Sequence, residues 1–164
     1  MKLGKFAIKP VYVFLFFFVL LSFIVSLVFY NLNSQGVRRV FYFESLDNPG
    51  LFMEVRYLSP YSEDQSQEDD IRQFVKELVL GPVTNRFKAV FAPGTTIDTC
   101  FLRDDVLYVD LSSTALQPAE GTTSIKTGVE IFEKNIRKNF PDIQQVCLFI
   151  NNQQAYENEN EINL

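Results

Sequence analysis

The chain has 164 residues, 47% hydrophobic and 21% charged, which is the composition of an ordinary globular protein with one domain. It contains no His and only two Cys, so a Ser-His-Asp triad, a Cys-His dyad and the common structural zinc sites are excluded within this chain. The net charge of −5 argues against a nucleic-acid partner, because phosphate binding needs a basic surface.

Residues 11–30 predict a transmembrane signal anchor. The segment has no charge, Pro or Gly, and at about 1.5 Å per residue its helix covers the roughly 30 Å hydrocarbon core of a bilayer. Tyr12 and Tyr30 lie at its ends, where amphipathic rings favour the interface. Residues 1–10 carry three Lys, which favours an N-terminus inside the cytoplasmic membrane and an extracytoplasmic remainder with a net charge of −8.

A cleaved signal peptide is the alternative for this segment. Cleavage requires an apolar core of about 7–15 residues and small residues before the cut. This core is longer, and no Ala-x-Ala-like site follows in the polar linker 31–37, so we expect a retained single-pass helix. Ser22 and Ser26 form one small-xxx-small pair through which a second helix can approach, but a plain anchor is the simpler interpretation.

The folded part, residues 38–151, begins with two predicted strands, Val40–Glu44 and Leu51–Leu58, joined at the Asn48-Pro49-Gly50 turn. The second strand has a period of two, with different residue types on its two faces. One face carries Leu51, Met53, Val55 and Tyr57, and the other carries Glu54 and Arg56.

An amphipathic helix follows, with apolar residues at helical spacing from Ile71 to Val79 and the acidic residues 68–70 at its start. Gly81-Pro82 ends it. Strands are then predicted at Ile97–Leu102 and Val106–Leu111, a helix at 124–139, a last strand at Gln145–Ile150 and a disordered tail at 152–164. The order β-β-α-β-β-α-β predicts an α+β fold, a mixed sheet of about five strands with two helices packed on it.

Six pieces of the chain occur in an order and spacing that is typical of one family. They are Tyr42-Phe43, Leu51 to Arg56, Glu77 to Pro82, Pro93-Gly94-Thr95, Val109 to Ser112, and Phe140-Pro141 to Ile150. With these pieces the chain resembles the GerMN domain, a family of sporulation and spore-germination proteins and other bacterial envelope proteins. The chain departs from the family at Asp104-Asp105, where members often have Asp-Gly, and at Asn151, where they often have Gly.

The resemblance implies a non-catalytic module of an envelope assembly, and some members resemble ring-building domains of sporulation channels. From the residues alone, Arg56 is either a contact to a partner carboxylate or an outward-facing charge on a half-exposed sheet. Because the family often has Arg at this position, the resemblance favours a structural ion pair.

Three polar residues at the end of the fourth strand and directly after it are candidate catalytic residues. Asp110 is at a strand end, but a side chain that caps the following turn is the simpler interpretation. Ser112 and Ser113 lack a Gly-x-Ser-x-Gly or Ser-x-x-Lys context. We therefore predict no catalytic residue and no enzyme activity.

The acidic residues Glu63, Asp64 and 68–70 are candidate calcium ligands, but their spacing is not that of an EF-hand, and an acidic helix start explains them better. Cys100 and Cys147 form either a disulfide or two buried apolar positions. No metal or cofactor is expected.

The expected partners are the lipid bilayer, through residues 11–30, and an envelope protein or a second copy of the chain, but no nucleic acid. The predicted function is assembly or organisation of a cell-envelope complex, of the sporulation or germination type. Peptidoglycan binding is the alternative, for which the candidate aromatic contacts are Tyr57, Tyr61 and Tyr108.

Overall fold

The computed structural model describes residues 10–33, 36–60, 62 and 64–155, and it divides into two units, 1–36 and 37–164. The first unit contains helix α1 (Pro10–Asn33). Its segment Pro10–Tyr30 has a mean hydropathy of 2.9, and the whole helix is about 36 Å long at 1.5 Å per residue. The helix is therefore long and apolar enough to cross a membrane.

The second unit is an α+β domain, and the predicted class and order of elements are confirmed. A 3-10 turn at Ser113–Leu116 follows its fourth strand. Its elements are β1 (Val37–Glu44), β2 (Leu51–Leu58), α2 (Gln67–Leu80), β3 (Ile97–Arg103), β4 (Val106–Leu111), α3 (Ile125–Asn139), β5 (Gln145–Ile150) and β6 (Gln153–Gln154).

The strands form two sheets, not the single mixed sheet that the sequence predicts. Strands β1 and β2 form an antiparallel ribbon, and the other sheet has the order β3-β4-β5-β6 with β4 and β5 parallel. The long outer edges of β1 and β3 are bonded to helix side chains, described below, so neither strand is available to join the two sheets.

The C-terminal boundary also differs from the prediction of a disordered tail from residue 152. Asn151 and Asn152 have positive φ angles of 54° and 62° and turn the chain into β6. The Ala155 N–H then donates to the Leu148 carbonyl at 2.8 Å. Asn enters the left-handed region more easily than most residues, which is why this turn forms without Gly. Residues 156–164 lie outside the described part of the chain.

Aromatic side chains join the ribbon to the helices in the core. The Phe41 and Phe74 rings stack with centroids 4.5 Å apart, and Phe140 meets Phe74 edge-on at 5.4 Å. The helices begin at Ser66 and Ser124, whose hydroxyls accept the backbone N–H three residues later. Both helices therefore start where a side-chain cap replaces the missing backbone partner.

Candidate interaction surface

The ribbon buries the charged face of β2 and exposes its apolar face. This orientation follows from the register, which places Glu54 beside Phe41, and Phe41 is fully buried. Residues side by side in a sheet share a face, so Glu54 and Arg56 point into the domain with the Phe side chains of β1. The apolar side chains therefore remain outside, with exposed fractions of 37% for Leu51, 66% for Met53, 41% for Val55 and 69% for Tyr57.

Arg56 is the centre of a half-buried ion-pair network, as the resemblance implies, and it does not face outward. Its Nε donates to Glu54 at 2.6 Å and its Nη1 to the Glu77 carboxylate at 3.2 Å. Nη2 donates to the Gly81 carbonyl at 2.7 Å, and the guanidinium lies 4.5 Å from the Phe41 ring centre. Helix α2 has no basic residue in its last turn, so Arg56 supplies the positive charge that stabilises this helix end.

The outer edge of β1 is covered by two Asn side chains of α3. The Asn135 amide accepts from the Tyr42 N–H at 2.8 Å and donates to the Tyr42 carbonyl at 2.9 Å. Asn139 makes the same pair of bonds to Val40, at 3.0 and 2.7 Å. The two amides thus replace a neighbouring strand. Sequence reasoning missed them, although their four-residue spacing on the apolar side of a predicted helix was a usable signal.

Helix α2 covers the outer edge of β3 in the same way, with side chains that bond to the strand backbone. The Glu68 carboxylate accepts from the Leu102 N–H at 3.2 Å, and Arg72 Nη2 donates to the Cys100 carbonyl at 3.2 Å. Four residues of helix advance about 6 Å, and two residues of strand advance about 6.6 Å. A pair of helix residues four apart therefore matches alternate residues of an adjacent strand.

The outer edge of β2 has no such cover. In β1 the backbone N–H and C=O groups of the even-numbered residues point towards α3. Those of Phe41 and the other odd-numbered residues therefore bond to β2, where Glu54 is the partner of Phe41. Alternation along β2 then directs the backbone N–H and C=O groups of Met53, Val55 and Tyr57 outward. Within the described residues, no hydrogen bond reaches these outward groups.

The open edge and the exposed apolar side chains belong to the same residues of β2. We call this the β2 surface, formed by Leu51, Met53, Val55 and Tyr57. Its exposed side chains cover roughly 400 Å², about the size of the largest apolar patch on a typical soluble domain, and such a patch is often functional. An exposed, apolar edge strand is also what a neighbouring strand recognises.

The acidic residues at the start of α2 have partners within the domain. Glu68 pairs with Arg72, Asp70 pairs with Arg39, and Asp69 accepts from the Ser66 hydroxyl at 2.6 Å. This hydrogen bond lowers the pKa of Asp69 from its ordinary value. Among the described residues, no group of three potential ligands could hold a metal ion. Glu63 lies outside the described part of the chain.

The polar residues after β4 are tied to the backbone. Asp110 is buried and both of its carboxylate oxygens accept from the Asn152 N–H at 3.2 Å, so it holds the β5–β6 turn and not the turn that follows it in sequence. Ser112 accepts from the Thr96 N–H at 3.0 Å, and Ser113 begins the 3-10 turn. Among the described residues, no hydrogen bond joins either hydroxyl to a base that could activate it.

Cys100 and Cys147 are not disulfide-bonded. Cys100 lies beside Val109 of β4, and Cys147 lies beside Tyr108 of the same strand. Because consecutive strand residues point to opposite faces, the two thiols project from opposite faces of the sheet. Cys100 is buried, and this burial raises the pKa of its thiol from 9.0 to about 11. The interpretation of Cys100 as a small buried apolar residue is therefore confirmed.

The candidate aromatic contacts lie on different sheets. Tyr57 is on the β2 surface, whereas Tyr108 is half-buried in the four-stranded sheet and stacks on Phe101 with ring centres 5.0 Å apart. Tyr61 is outside the described residues. A separate hollow of about 360 Å³ lies between residues 90–92 and 115–125 and is lined by apolar, hydroxyl and amide side chains. None of its lining residues in the described part of the chain is titratable.

Comparison with known proteins places most of the chain in one family. The model of the Germane family, described as sporulation and spore germination, matches residues 40–156. An uncharacterized lipoprotein of Treponema pallidum (strain Nichols) is 29% identical over 94 residues, which are 57% of this chain and 70% of that protein.

Two solved structures from Bacillus subtilis share the fold. The first GerMN domain of the sporulation protein GerM has a TM-score of 0.50 and 21% identity, with coverage of 72% of this chain and 85% of that one. The tandem GerMN domains of GerM have a TM-score of 0.51 and 19% identity, with coverage of 73% and 40%. The chain belongs to the Germane family and carries a GerMN-type domain.

Proposed function

We propose that this chain is a membrane-anchored, extracytoplasmic, non-catalytic module that organises or assembles a cell-envelope protein complex. The observation that carries the proposal is the β2 surface, where exposed apolar side chains and unpaired backbone groups coincide. Family membership supports a sporulation-type or germination-type complex. The side chains of Arg56, Asp110 and Ser112 all have structural partners within the domain, which supports function by contact.

The anchored topology is part of the same proposal. Helix α1 has the length and apolarity for one membrane span, and Lys2, Lys5 and Lys9 before it favour a cytoplasmic N-terminus. The Treponema relative is called a lipoprotein, a class of protein held at membranes, which supports an envelope location. A mature form that starts near residue 35 and is free of membranes would contradict the retained anchor.

The assembly role is tested by placing charge on the β2 surface of the full chain. In the native host, Met53→Lys with Tyr57→Lys is expected to release the chain from its membrane complex on native gels. The matched control is Leu80→Lys with Val83→Lys, two side chains that are 80% and 75% exposed elsewhere. This control should leave the complex intact. Equal behaviour of the two variants, or a wild-type chain that migrates alone, would overturn the proposal.

Peptidoglycan binding is the second candidate, supported by the 69% exposure of the Tyr57 ring. The full chain in detergent would then pellet with purified sacculi, and free muropeptide would compete. Tyr57→Ala would reduce pelleting, whereas Leu80→Ala would not. If the folded protein does not pellet, this candidate is wrong and the protein-assembly role is unaffected.

A further inference from the structure

We propose that β2 pairs with β2 of a second copy of the chain, antiparallel, with the two-fold axis at Val55. The inference rests on the proposed function, because it names the surface and one partner of the contact module. Pairing would satisfy the outward backbone groups of Met53, Val55 and Tyr57, which have no hydrogen-bond partner among the described residues. It would join two ribbons into one four-stranded sheet.

The order of charges along β2 selects the position of the axis. Glu54 precedes Val55 and Arg56 follows it, so an axis at Val55 places each Glu54 opposite the Arg56 of the other copy. An axis at Glu54 or at Arg56 would place that residue opposite itself, and like charges directly opposite each other are destabilising. A shift by a single residue would exchange the apolar and charged faces. Charge complementarity thus favours a second copy in one register.

The apolar face of β2 is complementary to itself in this register. Met53 lies opposite Tyr57 of the second copy, a pairing in which the thioether contacts the aromatic ring favourably. Val55 lies opposite Val55, a β-branched pair of the kind that stabilises sheets. A lipid surface would cover the same side chains but would leave the strand's N–H and C=O groups unsatisfied. A strand is therefore the better occupant.

Cysteine cross-linking of the full chain in membranes tests both the partner and the register. In a hydrogen-bonded antiparallel pair the facing Cα atoms are about 5.5 Å apart, within the range of a disulfide. Val55→Cys is therefore expected to give a covalent dimer under mild oxidation, at a yield about fivefold or more above wild type, which has only Cys100 and Cys147.

Met53→Cys is the matched control on the same exposed face. Its two copies would lie about 13 Å apart along the strands, too far for a disulfide. The single variant should stay at the wild-type yield, and Met53→Cys combined with Tyr57→Cys should restore the dimer. Because all three side chains are exposed, the variants should still fold, which protection of buried Cys100 from a thiol reagent would verify.

Two outcomes overturn the inference. One is a Val55→Cys yield no higher than that of Met53→Cys, and the other is efficient cross-linking of Met53→Cys alone. If a photoreactive residue at Val55 instead links only to a different protein, pairing between copies is wrong while the assembly role stands. Retention of the dimer with no larger envelope complex would support the pairing and contradict the assembly role.

Discussion

Replacing Asn135 by Leu tests whether the covered edge of β1 stabilises the domain. Asn135 is completely buried, and its amide bonds to both backbone groups of Tyr42 and to the Ile131 carbonyl. Leu has nearly the same shape but neither a donor nor an acceptor. The substitution therefore removes the hydrogen bonds without opening a cavity.

The expected cost is about 3 kcal/mol of unfolding free energy. Loss of Asn135 leaves the Tyr42 N–H and C=O without partners, and an unsatisfied buried group costs about 1–3 kcal/mol. The added apolar burial of Leu offsets about 1 kcal/mol. The Ile131 carbonyl keeps its hydrogen bond within the helix, so the loss of its bond to Asn135 adds little to the free-energy cost. Asn139→Leu should cost less, about 1 kcal/mol, because Asn139 is half-buried, unlike Asn135, and water can reach the groups it leaves.

The measurement is urea unfolding of the full chain in vesicles, followed by pulse labelling of Cys100. Cys100 is buried in the second unit, so it reacts when that unit unfolds. With a slope of about 1–3 kcal/mol per molar urea, the midpoint should fall by about 1–3 M. Asn85→Leu, at an exposed loop position, is the control.

A small effect would refute the reasoning about the edge. If Asn135→Leu shifts the unfolding free energy no more than Asn85→Leu, within about 0.5 kcal/mol, then the paired amide does not stabilise the strand. A double variant with Asn139→Leu should lower stability further. If it is no less stable than Asn135→Leu alone, the two amides are not separate contributors.

Three further results are expected. Arg56→Gln should cost about 3 kcal/mol in the same urea assay, because the Glu54 carboxylate, only 12% exposed, is left without its cation. Gly128→Ala should cost about 1–3 kcal/mol despite the helical preference of Ala, because its Cβ would lie 2.6 Å from the Val90 carbonyl oxygen. At pH 8, the raised pKa alone should slow thiol labelling of Cys100 about a hundredfold relative to the unfolded chain, and its contribution to stability, full below pH 9, should fall as pH rises towards 11.

The local elements were predictable from sequence because periodicity and capping determine them. The bounds predicted for β2, β4 and β5 are those in the structure, and α3 begins one residue after the predicted start because Ser124 is its cap. Gly81 ends α2 as expected, with a φ of 92° that favours glycine. Each of these boundaries depends on residues close in sequence.

The division into two sheets and the orientation of β2 were not predictable in the same way. A period of two shows that β2 has two faces, but it does not say which one is buried. That choice depends on Phe41 and Phe43 in β1, and on the ability of Arg56 to stack on a ring while it bonds the end of α2. Hydrophobicity alone would bury the opposite face.

The candidate surface could not be predicted from the sequence for the same reason. The sequence predicts a module that acts by contact, but it does not indicate which strand edge makes the contact. The choice requires knowing that Asn135 and Asn139 cover β1 while Glu68 and Arg72 cover β3. These contacts join residues between 28 and 99 positions apart in the chain.

The amides on β1 also limit how far the ribbon can grow. A sheet with two open edges can add strands without end, as in fibres, whereas a ribbon with one edge occupied by its own helix can add a strand on the other side only. Each copy of this domain would therefore terminate the sheet it joins. The same helix face that stabilises the fold therefore also keeps this edge from pairing with the strand of another molecule.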